Sequence, residues 1–213
     1  MTEPILRPGP DGGVPYRLKL DPAAAGPSVL MLHGWSGDET VMWVLETVLP
    51  KPRLIAAPRG LYPLPSGGYQ WADGGGGLSS SMEDFHDGVQ AVDAVLDDLR
   101  EKDGLDPAGL VLMGFSQGAA LSFALAAAGD LVPRGLISLA GFVPQGSLDR
   151  LQRVPVFWGH GSRDELVPIT RAHQDLDRLS STGVDVTFCE ADVGHRLGIE
   201  CTRGLKRWIE RLA

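Results

Sequence analysis

The stretch Leu110-Val111-Leu112-Met113-Gly114-Phe115-Ser116-Gln117-Gly118-Ala119-Ala120-Leu121-Ser122-Phe123-Ala124-Leu125-Ala126-Ala127-Ala128 holds three signals in succession. Leu110–Met113 is a short, continuously apolar run, as expected of a strand covered on both faces. Gln117–Ala128 is rich in alanine and apolar nearly all round, which predicts a buried helix. Between them Gly114–Gly118 reads Gly-x-Ser-x-Gly, the signature of a sharp strand-to-helix turn with a serine at its apex. Such an apex takes strained backbone angles, and small residues two positions either side avoid clashes with the neighbouring strand and helix. The helix N-terminus then sets N–H groups and partial positive charge beside the hydroxyl.

The pattern repeats outward from this corner. Further β-rich runs lie at Tyr16–Leu20, Ser28–Leu32, Leu54–Ala57, Gly135–Leu139, Val154–Trp158 and Val184–Cys189. Tyr16–Leu20 alternates with period two and reads as an antiparallel edge strand. Helical patterns separate the runs at Glu39–Leu49, capped by Asp38 and stopped by Pro50, and at Ser81–Lys102, Pro168–Thr182 and Thr202–Leu212. In Ser81–Lys102 the residues Phe85, Val89, Val92, Leu96 and Leu99 form one apolar stripe; Asp87, Asp97, Asp98 and Glu101 fall on other faces and read as solvated. Strands alternating with helices predict an α/β protein with a mainly parallel sheet. The 213 residues leave no stretch for a second domain and no large helical lid. Pro58–Ser80 is the longest irregular segment, and its Gly74–Gly77 run reads as a flexible surface loop.

Composition narrows the function. With 19 basic and 27 acidic side chains the net charge is −8, which argues against nucleic-acid binding, because phosphate contacts need a basic surface. Ala119–Ala128, the most apolar stretch, is far short of the ~20 residues of a membrane span. The N-terminus lacks a basic start followed by an apolar run, so a cytoplasmic location is expected. Cys189 and Cys201 form no metal pattern and read as two buried free thiols, with a single disulfide as the alternative. No metal-binding motif and no nucleotide-binding loop appears.

A serine hydroxyl needs a base to act as a nucleophile. Of five histidines, His86 and His173 sit within helical patterns. His33, His160 and His195 follow strands, where ligands and catalytic groups of open α/β sheets collect. In proteins built on this corner the order along the chain is serine, acid, histidine. Only His195 leaves room for an acid-bearing loop between itself and Ser116, so it is the expected base. Asp164, just past the Val154–Trp158 run, is the expected acid, with Glu165 and Asp192 as rivals; it would hold His195 in the right tautomer. The oxyanion donors are expected to be the backbone N–H groups of Gln117 and of Trp35, the latter in the loop His33-Gly34-Trp35-Ser36-Gly37-Asp38. Trp35, Trp71, Phe142 and Leu197 are candidates for lining an acyl pocket. Arg59 is a candidate for greeting an anionic substrate group, against a plain surface ion pair.

These pieces resemble the phospholipase/carboxylesterase group of the α/β-hydrolase superfamily, which includes acyl-protein thioesterases and small bacterial carboxylesterases. The resemblance rests on Leu32-His33-Gly34, Gly37-Asp38, Ala57-Pro58-Arg59-Gly60, Gly114–Gly118, Gly141-Phe142-Val143-Pro144, His160-Gly161 with Asp164, and Gly194-His195. It implies an α/β-hydrolase fold and a Ser-His-Asp triad of Ser116, His195 and Asp164. It further implies ester or thioester hydrolysis without a cofactor, and a small-molecule acyl ester is the expected substrate. Thioesterase members usually read His-Gly-x-Gly-Asp, and the loop here is one residue longer. A thioesterase, a cofactor-free perhydrolase and a non-catalytic binding protein stay as alternatives, and the reading admits a homodimer.

Overall fold

A computed structural model describes residues 3–128 and 131–212. In chain order the strands are Ile5–Arg7 (β1), Tyr16–Leu20 (β2), Gly26–Leu32 (β3), Pro52–Pro58 (β4), Tyr62–Pro63 (β5), Tyr69–Gln70 (β6), Leu110–Phe115 (β7), Gly135–Leu139 (β8), Val156–Gly161 (β9) and Val186–Ala191 (β10). The α-helices are His86–Asp103 (α1), Gln117–Ala128 (α2), Ile169–Ser181 (α3) and Ile199–Leu212 (α4). Eight strands form one sheet in the order β1-β2-β4-β3-β7-β8-β9-β10. Every pairing from β4 to β10 in that order is parallel, whereas the β1–β2 and β2–β4 pairings are antiparallel.

The continuous apolar runs serve two cores because successive side chains of a strand point to opposite faces. Leu30 and Leu32 of β3, Leu110 and Leu112 of β7, and Val156 and Trp158 of β9 join the core that holds α1 and α2 residues such as Val92, Leu99 and Phe123. Val29, Met31, Val111, Met113 and Phe157 point the other way, onto Met42 and onto Leu205, Trp208 and Ile209 of α4. Every helical residue of α2 from Gln117 to Ala126 is buried.

Several expectations are corrected. Tyr16–Leu20 is a strand with the expected bounds, but β1 lies outside it and forms the edge. Three exposed-to-intermediate residues carry no period-two signal, so β1 was invisible in sequence. The segment after Asp38 is a 3₁₀ helix, Val41–Val48, and Asp38 turns back onto Thr40 N and Oγ1. α1 begins at His86, after a capping box in which Ser81 N and Oγ donate to Asp84 at 2.7 and 2.9 Å. Asp98 is buried, not solvated: Tyr16 Oη and Lys102 Nζ each reach it at 2.5 Å. Those partners hold its carboxyl below the usual range, the Lys102 bond most strongly. Arg7 bridges Tyr16 and Asp103, tying β1 to α1. The region Pro58–Ser80 contains the hairpin β5–β6, and Gly76 of its glycine run packs against the Gln117 side chain.

Cys189 and Cys201 are not free thiols. They form a disulfide that joins β10 to α4 across a sequence separation of 12.

Candidate active site

The Gly-x-Ser-x-Gly corner is built as its residue types require. Ser116 follows β7 directly, opens α2 and has φ of +52°. That conformation is strained for a residue with a Cβ. Its N–H donates to Leu139 O of the adjacent strand at 2.9 Å. A Cβ on Gly114 would lie 2.3 Å from Gly118 O, and one on Gly118 would lie 2.1 Å from Leu32 O. Both are impossible contacts, so both motif glycines are steric necessities.

Asp164 and His195 come together from loops 31 residues apart. His195 Nδ1 lies 2.7 Å from Asp164 Oδ2. The other carboxylate oxygen accepts from Leu166 N at 3.0 Å and Val167 N at 2.9 Å. Asp164 is 5% exposed, so its charge is held by directed donors rather than by solvent. The two loops are also bound to each other: Arg163 N donates to Val193 O, and Ser162 N donates to Ala191 O. Gly161 permits that approach, since a Cβ there would meet Gly194 O at 2.2 Å. The rivals lie elsewhere. Asp192 pairs with Arg163 at the surface, 2.6 Å apart, and Glu165 is exposed. The His195 ring faces Phe115, the residue before Ser116, at a centroid distance of 4.9 Å.

The loop after β3 borders the same corner. A Cβ on Gly34 would lie 3.3 Å from Ser116 Cβ and 3.0 Å from the Phe115 ring. His33 holds this loop from within. Its Nε2 accepts from Gly60 N at 2.8 Å, so its Nδ1 carries the proton and donates to Gly34 O at 2.7 Å. Burial lowers the His33 pKa, keeping the ring neutral. Strand β6 fastens the loop's far side, with Ser36 N on Tyr69 O at 3.0 Å and Tyr69 N on Gly37 O at 2.9 Å.

The four acyl-pocket candidates separate. Trp35 is 56% exposed, its indole N–H on Gln70 Oε1 at 3.1 Å. Trp71 is fully buried and does not line an open pocket. Its indole N–H donates to His33 O at 2.8 Å, its ring lies 4.8 Å from the His33 ring, and its own backbone N–H donates to Gln117 Oε1. Phe142, 3% exposed, sits beneath Arg171. Its loop is clamped by α3: Asp175 accepts from Val143 N at 2.8 Å, and Arg171 donates to Val143 O at 2.7 Å. Leu197 is half-buried over Gly159 of β9. Arg59 makes a two-point pair with Glu39, both bonds at 2.7 Å, as the ion-pair reading holds.

Sequence reasoning passed over the supports. His33 and His160 were visible as histidines after strands, but nothing in the chain order marks which neighbour a buried ring serves. Among the described residues no group of three or more His, Cys, Asp or Glu side chains could hold a metal ion.

Comparison with known proteins adds to this geometry. The phospholipase/carboxylesterase family matches residues 21–212. A protein of Oryza sativa subsp. japonica named as a probable inactive carboxylesterase is 30% identical over 138 residues, 61% of this chain and 56% of that protein. The chain thus spans about half the length of that relative. An acyl-protein thioesterase of Cryptococcus neoformans var. neoformans is 27% identical over 189 residues, 76% of each chain. The crystal structure of a Bacillus cereus carboxylesterase superposes with a TM-score of 0.82 at 19% identity, covering 95% of this chain and 96% of that one. That likeness is one of fold: a mostly parallel central sheet flanked by helices.

Proposed function

Because this chain belongs to the phospholipase/carboxylesterase family, we propose that it hydrolyses small-molecule carboxylic esters through an acyl-enzyme on Ser116. His195 Nε2 takes the hydroxyl proton as Ser116 Oγ attacks the carbonyl carbon. Asp164 holds the imidazole with Nδ1 protonated and stabilises the imidazolium that forms. The tetrahedral oxyanion is received by the Gln117 and Trp35 backbone N–H groups. His195 then gives its proton to the departing alcohol, and water, activated by the same imidazole, releases the acid. No cofactor enters any step.

The observation that carries this reading is the 2.7 Å bond between His195 and Asp164, with the His195 ring 4.9 Å from that of Phe115, the residue before a serine at φ +52°. A binding protein has no need of a strained apex serine, nor of an aspartate whose two oxygens are fully engaged in presenting a histidine. The rice relative's name describes that protein; this chain has Ser116, Asp164 and His195.

The test is hydrolysis of p-nitrophenyl acetate and butyrate. Ser116→Ala should lower kcat by at least about 10³-fold with an unchanged circular dichroism spectrum. Full activity in that variant removes the mechanism. A thioester of the same acyl group decides the second reading, which the thioesterase relative favours. A kcat/KM for the thioester more than about tenfold above that of the ester makes the protein a thioesterase on the same machinery.

A further inference from the structure

A second histidine stands behind the Asp164–His195 pair. His160 lies at the end of β9, is 1% exposed and belongs to no step above. Its Nδ1 receives the Trp158 indole N–H at 3.1 Å. An indole nitrogen only donates, so Nδ1 is unprotonated and the proton sits on Nε2. That Nε2–H meets Val167 O at 2.8 Å and faces Asp164 Oδ2 at 3.6 Å. The first is a hydrogen bond; the second is too long for one and acts as a dipole aimed at the carboxylate.

Val167 is the key to the arrangement. Its N–H donates to Asp164 Oδ1 while its carbonyl accepts from His160. One peptide segment is therefore fastened at both ends, to the proposed catalytic acid on one side and to His160 on the other. Trp158 fixes the tautomer, His160 fixes Val167, Val167 and Leu166 fix Asp164, and Asp164 orients His195. Burial lowers the His160 pKa. The bond to the Val167 carbonyl, Asp164 and Glu190 favour its cation and His195 opposes it, but burial is the largest influence.

We infer that His160, held in its Nε2–H tautomer by Trp158, is a positioning residue that sets the Asp164 carboxylate for His195. This rests on the proposed hydrolase reading. His160 touches no reacting atom; it acts through the turn Asp164–Val167. A displacement of about 1 Å in a catalytic group costs on the order of 10²-fold in rate.

His160→Phe removes the donor while keeping a ring, and His160→Gln restores an N–H near the Nε2 position. The wild-type protein is assayed first with p-nitrophenyl acetate; no turnover there sinks the hydrolase reading and leaves this one to the spectroscopic arm. His160→Phe is expected to lower kcat at least tenfold with KM within about twofold. The acidic limb of its kcat/KM profile should move to lower pH, because a mispositioned Asp164 supports the His195 imidazolium less. His160→Gln should recover most of the kcat and the limb. Independently of turnover, the low-field proton resonance of His195 Nδ1–H should broaden or vanish in His160→Phe and return in His160→Gln. If His160→Phe does not fold, Trp158→Phe carries the test, with a smaller change of the same sign in resonance and limb. Wild-type resonance and pH profile in a folded His160→Phe or Trp158→Phe protein overturn the inference. A Gln variant no better than Phe also overturns it.

Discussion

Trp71 and His33 set the terms at the scale of single residues. Both look like site residues in sequence, an aromatic in a loop and a histidine after a strand. Both turn out to be internal braces of the loop that carries Trp35. The indole N–H of Trp71 holds the His33 carbonyl at 2.8 Å, and the His33 ring holds Gly34 and Gly60. A buried polar group left without its partner costs about 1–3 kcal/mol. Trp71→Phe keeps an aromatic ring beside His33 but removes that bond and the buried volume of the second indole ring. It should lower the unfolding free energy by at least about that amount in a urea titration. It should also reduce kcat/KM for acetate, butyrate and hexanoate esters by one common factor. A selective loss on the longer acyl chains would return Trp71 to the pocket. Ser116 and its flanking glycines contrast with this. Their reading needed no structure, because the motif marks the turn by itself: the clash at 2.3 Å lies within the corner, and the one at 2.1 Å is with Leu32 O of the neighbouring strand β3.

At the scale of elements, what could be read depended on how local the cause was. β2 and β8 have the bounds that alternation and apolar runs predict, and α1 ends at Gly104, whose φ of +66° suits glycine. β5 and β6, two residues each, carry no period. Asp98 sat on a helix face that looked solvated until β1 and β2 covered it with Arg7 and Tyr16. The cysteines fail for the same reason, since a spacing of 12 does not reveal that β10 and α4 pack together. The disulfide has a consequence for the site: it closes the segment whose middle is His195. Cross-linking a loop of this length stabilises by about 2–3 kcal/mol, chiefly by restricting the unfolded chain. The Cys189→Ala/Cys201→Ala protein should therefore unfold at lower urea, with a loss of about that size. A midpoint equal to that of the oxidised wild type would overturn restriction of the unfolded chain as a source of this protein's stability.

Over the whole molecule, the two braces behind the site make stability depend on pH in a defined window. His33 and His160 are both buried, both have a ring nitrogen accepting a donor's hydrogen, and burial lowers both pKa values. In the unfolded chain each titrates near 6.5. Above that pH both states are neutral and neither histidine matters. As pH falls below about 6.5 the unfolded chain takes up protons that the folded protein refuses, so stability declines until the folded values are reached. The slope is at most about 1.4 kcal/mol per pH unit for each histidine. The carboxylates held low in the fold, Asp38, Glu39, Asp84 and Asp98, act in a separate window. Their stabilisation is intact above roughly pH 4–5 and is lost only below it, as pH falls toward their folded values. Urea midpoints between pH 7.5 and 5.5 separate the histidines from the carboxylates. The part due to His160 is the difference between the wild type and His160→Gln across that interval: the wild type should lose more stability than the variant, by at most about 1.4 kcal/mol per pH unit. Equal losses in the two proteins would mean that the His160 ring takes up a proton inside the fold. The hydrogen bonds that hold the Asp164 turn would then have to be redrawn.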